Sequence, residues 1–269
     1  MQKITYENYA NGLSATFSND NPRAFLAAFD GSSTPCTAIA YKPAEFDGQR
    51  FVSANLDART IAFTVEWYGV SDGKFSIQKS YEMWEEFQRV FVPGQMGKLT
   101  WTNGYKTRFI ECRAAETPNF SRVCGCKLSA EFKLIADYPY WLGDEHSESF
   151  ENQSVIIQNY NLTNTCGLSV PFVFHSTVSY FGIVLWEPAL GGRNMLYIDG
   201  SAPSGELVID TKKCIATIGG ELANQYLEPR SEFFKIPPGD VTIRTIYLGD
   251  GSISAGTKIS WRDHYLGVS

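Results

Sequence analysis

Histidine is scarce in this chain: His146, His175 and His264 are the only three among 269 residues, and they stand far apart. Catalysis or metal binding by clustered imidazoles therefore has little to draw on. Basic residues are not gathered either. With 23 Lys and Arg against 29 Asp and Glu the net charge is −6. No cluster offers the phosphate contacts that hold nucleic acid. Long apolar runs are missing too. No stretch approaches the roughly 18 residues of a membrane span, and the opening MQKITYENYANGL has no signal-peptide core. The expectation is a protein made in a cytoplasm that stays soluble and takes no part in a membrane.

The cysteines, Cys36, Cys112, Cys124, Cys126, Cys166 and Cys214, are scattered. That spacing predicts mostly small core residues. Cys124-Gly-Cys126 is the only close pair, and no further ligands follow at zinc-site spacing. No metal and no cofactor are expected. What the chain does have is apolar and aromatic content, 43% and 14%, enough to bury one large or two ordinary cores.

The stretch Lys79 to Cys112 organises the rest. Ser80 fits a helix N-cap, with Glu82, Glu85 and Glu86 in the early turns where the helix dipole favours negative charge. Trp84, Phe87 and Phe91 repeat at helical spacing and form the candidate core face of this central helix. Pro93-Gly94 stops it. Lys98 to Thr102 and Tyr105 to Arg113 then alternate on either side of Asn103-Gly104, which predicts a type I′ hairpin. One amphipathic helix in a chain of strands belongs across a sheet face.

Elsewhere the pattern is strand-like. Tyr41 to Asn55 carries an Asp47-Gly48 turn between Phe46 and Phe51, which reads as a hairpin or extended arm. Arg59 to Tyr68 alternates Ile61, Phe63, Val65 and Trp67 against polar neighbours, and Lys127 to Asp137 does the same through Leu128, Ala130, Phe132 and Leu134. From Tyr138 to about Asn152 no period is visible, and a domain junction is expected there. Beyond it, Leu168 to Phe174 reads as a strand carrying Pro171 near its middle, which places it at an edge or a bulge. Short strands at Met195–Asp199, Glu206–Ile209, Cys214–Ile218, Phe233–Ile236, Val241–Tyr247 and Thr257–Trp261, with turns every ten or so residues, predict a β-sandwich.

Three motifs suggest chemistry and are better explained otherwise. Gly69-Val-Ser71-Asp-Gly73 fits G-x-S-x-G, but strand-like residues follow where a nucleophile elbow needs a helix, so a polar turn is expected and an esterase built on Ser71 is not. Gly94-Gln-Met-Gly97-Lys98 is too short for a P-loop and follows a helix. Asp137, Asp144, Glu145, His146 and Glu148 could approach a cation, though a solvated acidic linker is the simpler reading.

A family resemblance rests on the order of several motifs: YKPAEFDGQRF, RTIAFTVEWYG, an aromatic helix ending in VPGQMGKLTW, YKTRFIECRAAETPNF and KLSAEFKLIADYPYW, then MLYIDG, GELVIDTKKCIATIGG and SEFFKIPPGDVTI. In this order they resemble the distal tail protein (Dit) family of long non-contractile-tailed phages. The resemblance implies a mainly β chain with one principal helix. An N-terminal β-sheet plus helix domain, residues 1–138, would form a ring, followed by a galectin-like β-sandwich over residues 139–269. It implies a virion protein of the tail tip, synthesised in the bacterial host cytoplasm. It implies a homo-hexamer that joins the tail tube protein to the tail-associated tip protein and receptor-binding protein, leaving a channel for DNA without binding it specifically. Phe46, Asp47, Gly48 and Phe51 on the arm are the candidate ring interface. The alternative from a different class is a carbohydrate-binding β-sandwich protein that uses aromatics such as Tyr180, Phe181 and Trp186.

Overall fold

A computed structural model of the chain describes residues 1–31, 33–42, 44, 47–149, 157–178, 183–186, 195–198, 201–247 and 257–268. Among them the chain is mainly β with one α-helix, and it divides into two compact units. The first comprises Met1–Gly143 with Tyr265–Ser269; the second is Asp144–His264.

In the first unit the strands are β1 (Lys3–Asn8), β2 (Ser14–Ser18), β3 (Ala24–Asp30), β4 (Cys36–Tyr41), β5 (Arg50–Leu56), β6 (Arg59–Ser71), β7 (Lys74–Ser76), β8 (Met96–Thr102), β9 (Thr107–Ala114), β10 (Phe120–Cys124) and β11 (Lys127–Ala136). The helix α1 spans Ile77–Val90, and β12 (Trp141–Ser149) begins at the end of the unit. Seven strands close on themselves in the order β1-β2-β3-β6-β11-β9-β8 and back to β1. The closure has two narrow seams. β2 meets β3 in parallel through Ser18 and Phe25, and β11 meets β9 only at Leu134–Ala114 and Ile135–Arg113. Alternation supplies the interior: Ile61, Phe63, Val65 and Trp67 of β6 and Leu128, Ala130, Phe132 and Leu134 of β11 are all buried. Between the seams, Phe17 of β2 lies 5.9 Å from Phe63 and 5.8 Å from Phe132, ring centre to ring centre.

The helix packs against β6 and β11 and also against β1 and β2, so it bridges both sides of the ring rather than lying across one sheet. Trp84, Phe87 and Phe91 are buried there. Trp84 stacks on Trp67 at 5.8 Å, Phe87 meets Phe17 edge-on at 5.2 Å, and Phe91 stacks on Tyr6 at 4.7 Å. The N-cap is Ser76, whose hydroxyl accepts the Lys79 N–H. Ser80 is therefore inside the first turn, and its polarity serves packing instead. Its Oγ accepts the Gly69 N–H at 2.7 Å and lies 2.8 Å from the Cys126 carbonyl, while its own carbonyl accepts the Trp67 indole N–H at 3.0 Å. At the other end Asn8 Nδ2 donates to the Val90 carbonyl at 2.9 Å, satisfying one of the helix's orphan acceptors.

Two turns differ in detail from expectation. β8 and β9 pair out to Thr102–Thr107, so the hairpin loop has four residues. Asn103 Oδ1 accepts the N–H groups of Tyr105 and Lys106, and Gly104 takes a positive φ of 91°. Two-residue turns with both φ positive occur instead at Asp72-Gly73, joining β6 to β7, and at Gly219-Gly220, between Ile218 and Glu221 of the second unit. The residues after Tyr138 are not aperiodic coil, since Trp141–Ser149 is a strand whose first two side chains alone are buried. Its outward remainder shows no alternation in sequence.

The second unit carries β13 (Ile157–Asn164), β14 (Phe172–Val178), β15 (Ile183–Trp186), β16 (Met195–Tyr197), β17 (Gly205–Asp210), β18 (Ile215–Ile218), β19 (Glu221–Leu222), β20 (Gly239–Tyr247) and β21 (Lys258–Tyr265). One sheet orders β12-β21-β14-β17-β18-β19 and the other β13-β20-β15-β16. Phe172, Phe174, Leu207, Ile209 and Ile259 from the first share a core with Leu196, Val241 and Ile243 from the second. Pro171 sits just before β14, and β14 is an interior strand between β17 and β21 rather than an edge. Phe233–Ile236 is not a strand; Ile236 makes one isolated bridge to Val170.

Candidate functional site

One element of the first unit does not join its core. Among the described residues β4 and β5 pair only with each other, from Cys36–Leu56 to Tyr41–Arg50, with a register shift beside Ile39 that leaves Val52 as the extra residue. Nearly every residue of the pair is exposed, including Ile39, Tyr41, Val52 at 59% and Phe51 at 68%. A lone two-stranded ribbon is marginal in water, and both of its outer edges present unpaired backbone groups. Exposed apolar side chains on such a ribbon suit it to adding strands and burying rings against another surface.

The candidate interface residues fall on this arm. Phe51 is its most exposed large apolar side chain, Asp47 and Gly48 are exposed near the tip, and Gly48 holds a φ of 91°. Phe46 lies outside the described residues. The strands reach further than Tyr41 to Asn55, because β4 starts at Cys36.

The root of the arm is polar, with only Arg59 in it buried, and sequence reasoning did not find it. Asp57 N–H donates to the Pro35 carbonyl at 3.1 Å, and Thr37 Oγ1 donates to Asp57 Oδ2 at 2.6 Å. Arg59, fully buried at the start of β6, donates from Nη2 to Thr34 Oγ1 and to the Leu266 carbonyl. Burial lowers its pKa, and the carboxylate of Asp30 opposes that shift. A buried Arg is uncommon without partners, but those partners lie 25 and 207 residues away in the chain.

A second exposed apolar surface lies on the same unit. Phe75 packs edge-on to Tyr68 at 4.9 Å, and Tyr81 meets Phe120 at 5.7 Å. Phe75, Tyr81, Phe120 and Val123 are all exposed. Among the described strands β10 pairs only with β11, so its outer edge is open.

The other candidates do not converge. Ser71 is exposed where β6 enters its turn to β7, and its Oγ lies 3.4 Å from Asp72. The acidic group disperses: Asp137 pairs with Arg113, Glu145 with Arg262, and His146 with Asp263 at 3.2 Å. No cluster of His, Cys, Asp or Glu able to hold a metal occurs among the described residues. Only Cys112 of the six cysteines is buried; Cys36, Cys124 and Cys214 are exposed, contrary to the core role expected for most. Burial pushes the Cys112 thiol up to about 12, and burial likewise raises the Tyr6 phenol, helped by Cys112 and Tyr9. Burial lowers the pKa of His264 and of His175. Tyr180 and Phe181 lie outside the described residues, and Trp186 ends β15.

Comparison with known proteins decides what this architecture is related to. Residues 173–265 match the family model described as Siphovirus-type tail component, C-terminal domain. The fold agrees across the chain with the crystal structure of the SPP1 Dit (gp 19.1) protein, described as a paradigm of the hub adsorption apparatus in phages infecting Gram-positive bacteria. The TM-score is 0.69 at 12% identity, covering 98% of this chain and 99% of that one. Residues 173–265 thus resemble the C-terminal domain of siphovirus-type tail components, and the chain as a whole shares the Dit fold. The phage P2 baseplate in its activated conformation, solved with Ca and again with Sr, contains a chain of similar fold. Each gives a TM-score of 0.54 at 9% identity over 100% of both chains. No curated protein matches in sequence. The likenesses are thus to structural tail proteins, as the order of the sequence motifs implies, and the mainly β fold with one helix agrees with them.

Proposed function

We propose that the chain is a distal tail protein of a virion, forming a hexameric ring at the tail tip that joins the tail tube to tip and host-binding proteins and leaves a channel for DNA. The observation that carries this reading is the exposed β4–β5 arm on a closed, aromatic-cored unit. The arm shows Phe51, Val52, Ile39 and Tyr41 to solvent although the unit has ample core of its own. A ring needs a heterologous interface, one patch meeting a different patch on the next copy. The arm is one such patch. The open edge of β10, with Phe120, Val123 and Tyr81 beside it, is the other. The second unit, with two antiparallel sheets about one core, takes the galectin-like role that faces host-binding components. The net charge of −6 is compatible with DNA passing the channel without being held.

The test is complementation. A Phe46→Ser/Phe51→Ser chain keeps its melting temperature and stays monomeric by light scattering where the parent assembles. A Val123→Lys chain, charged on the β10 edge, does the same. Mixed, the two give dimers, because each retains the half the other lacks, and no ring. Survival of the oligomer in the arm variant, or collapse of its fold, overturns the arm as the ring contact, and survival in Val123→Lys overturns the β10 edge as its partner.

A further inference from the structure

The segment that follows the second unit in the chain is bound to the root of the arm in the first. The Leu266 carbonyl accepts from Thr34 Oγ1 at 2.7 Å and from Arg59 Nη2. Thr34 leads into β4 and Arg59 follows β5, so one carbonyl ties both strands where they leave the closed sheet. Neighbouring contacts hold the segment in place. Arg108 Nη1 donates to the Gly267 carbonyl at 2.5 Å, and the Arg108 guanidinium lies 3.7 Å above the Tyr265 ring. Tyr265 and Val268 pack against the core of the first unit. Gly31, three residues before Thr34, has no space for a side chain: a Cβ there would stand 2.8 Å from Val268 Cγ2 and 2.5 Å from the Phe29 ring. Its carbonyl accepts the Trp141 indole N–H at 2.9 Å, which fixes the chain leading to the arm from the other side.

The structure assigns residues 265–268 the part of a clasp that sets the direction of the β4–β5 arm, so that the arm gains its docking geometry only after the second unit and this segment have been synthesised. The physical argument is pre-organisation. A ribbon tethered by its root alone spreads over many directions, and docking must then pay for ordering it. A ribbon whose two strands share a buried anchor starts ordered. Without Leu266 the buried Arg59, whose Nε and Nη1 already lack hydrogen-bond partners, loses one of the two acceptors of Nη2, and the guanidinium opens to water. Because N-terminal regions fold first during synthesis, a first unit lacking its clasp would present an unaimed arm. Premature assembly of incomplete chains is thereby suppressed.

The inference rests on the ring reading for its purpose but not for its geometry, and the experiment separates the two. Amide hydrogen exchange is measured on the full chain, on a chain ending at His264, and on a Thr34→Val chain, all at concentrations below assembly. At the Asp57 amide, exchange accelerates about tenfold or more in the shortened chain and a few-fold in Thr34→Val, while amides of β8 and β9 are unchanged. Unchanged exchange at Asp57 in Thr34→Val overturns the clasp. Should shortening also accelerate β8 and β9, it has unfolded the unit, and Thr34→Val alone decides. At higher concentration the full chain assembles and the shortened chain does not; equal assembly overturns the clasp's role in docking. A full chain that never assembles refutes the ring, while Asp57 exchange still decides the clasp.

Discussion

The Gly69 N–H reaches Ser80 Oγ at 2.7 Å across a gap so narrow that a Cβ on Gly69 would stand 2.4 Å from the Ser80 nitrogen and 2.3 Å from Lys79 Cβ. Strand and helix thus meet at close contact, joined by a bond from the strand backbone to the Ser80 hydroxyl. Gly69→Ala should force α1 off β6 and destabilise the first unit. Ser80→Ala leaves a buried N–H without its acceptor and should cost about 1–3 kcal/mol. Urea denaturation checks both, with Glu85→Ala, on the solvent side, expected to stay within about 0.5 kcal/mol of the parent.

Replacing Trp84 or Phe87 with Ala removes a ring from the core shared by Trp67, Phe17 and Phe132. Each should cost about 3–5 kcal/mol in the same denaturation experiment. Glu82, which pairs with Lys79 at the surface, should tolerate Ala with a small loss. A larger loss from Glu82→Ala than from Trp84→Ala would mean the helix faces the other way.

Stability should fall on the alkaline side. Burial raises the folded-state pKa of Cys112 to about 12, above that of the unfolded thiol, so the fold holds the protonated form. Its contribution is fully present below about pH 8.5, where the unfolded thiol also keeps its proton, and is lost as pH rises toward the folded value. The slope from this group is at most about 1.4 kcal/mol per pH unit. Tyr6, raised in the same direction by burial, adds to the loss at higher pH. Denaturation midpoints between pH 7 and 10 should show the decline, and Cys112→Ala should flatten its first part.

Thiol labelling should follow exposure. In the native protein Cys36, Cys124 and Cys214 should react with a maleimide promptly and Cys112 only on unfolding. A bulky maleimide on Cys36, the first residue of β4, should also block assembly, whereas labelling confined to Cys214 in the second unit should not. Mass spectrometry of the labelled peptides, with light scattering of the products, reads both.

How much of this was legible in sequence depended on whether neighbours in the chain are neighbours in space. β6 and β11 alternate because one face of each is wholly buried, and their pattern can be read directly. The helix was equally plain through Trp84, Phe87 and Phe91. Its start was not, since Ser76 and Ser80 are four residues apart with the same chemistry, and only the contacts with Gly69 and Cys126 show which one is inside. β1 alternates Ile4, Tyr6 and Asn8 inward, but a buried Asn disguises the pattern; it is there to cap Val90, 82 residues on. The arm could be recognised from its Asp-Gly turn and aromatics. Its clasp could not, because Arg59 and Leu266 are brought together only by the fold.

The two seams of the seven-stranded ring have a mechanical meaning. Among the described residues the backbone joins β1, β2, β8 and β9 to β3, β6 and β11 only through one parallel residue pair, two antiparallel pairs and the Ala115 N–H to Lys133 carbonyl bond beyond the end of β9. The unit is therefore two stiff plates hinged along thin lines, with α1 touching both like a rivet. A force prying the plates apart would be resisted by shearing aromatic rings past one another rather than by a long ladder of hydrogen bonds. Such a body bends before it tears.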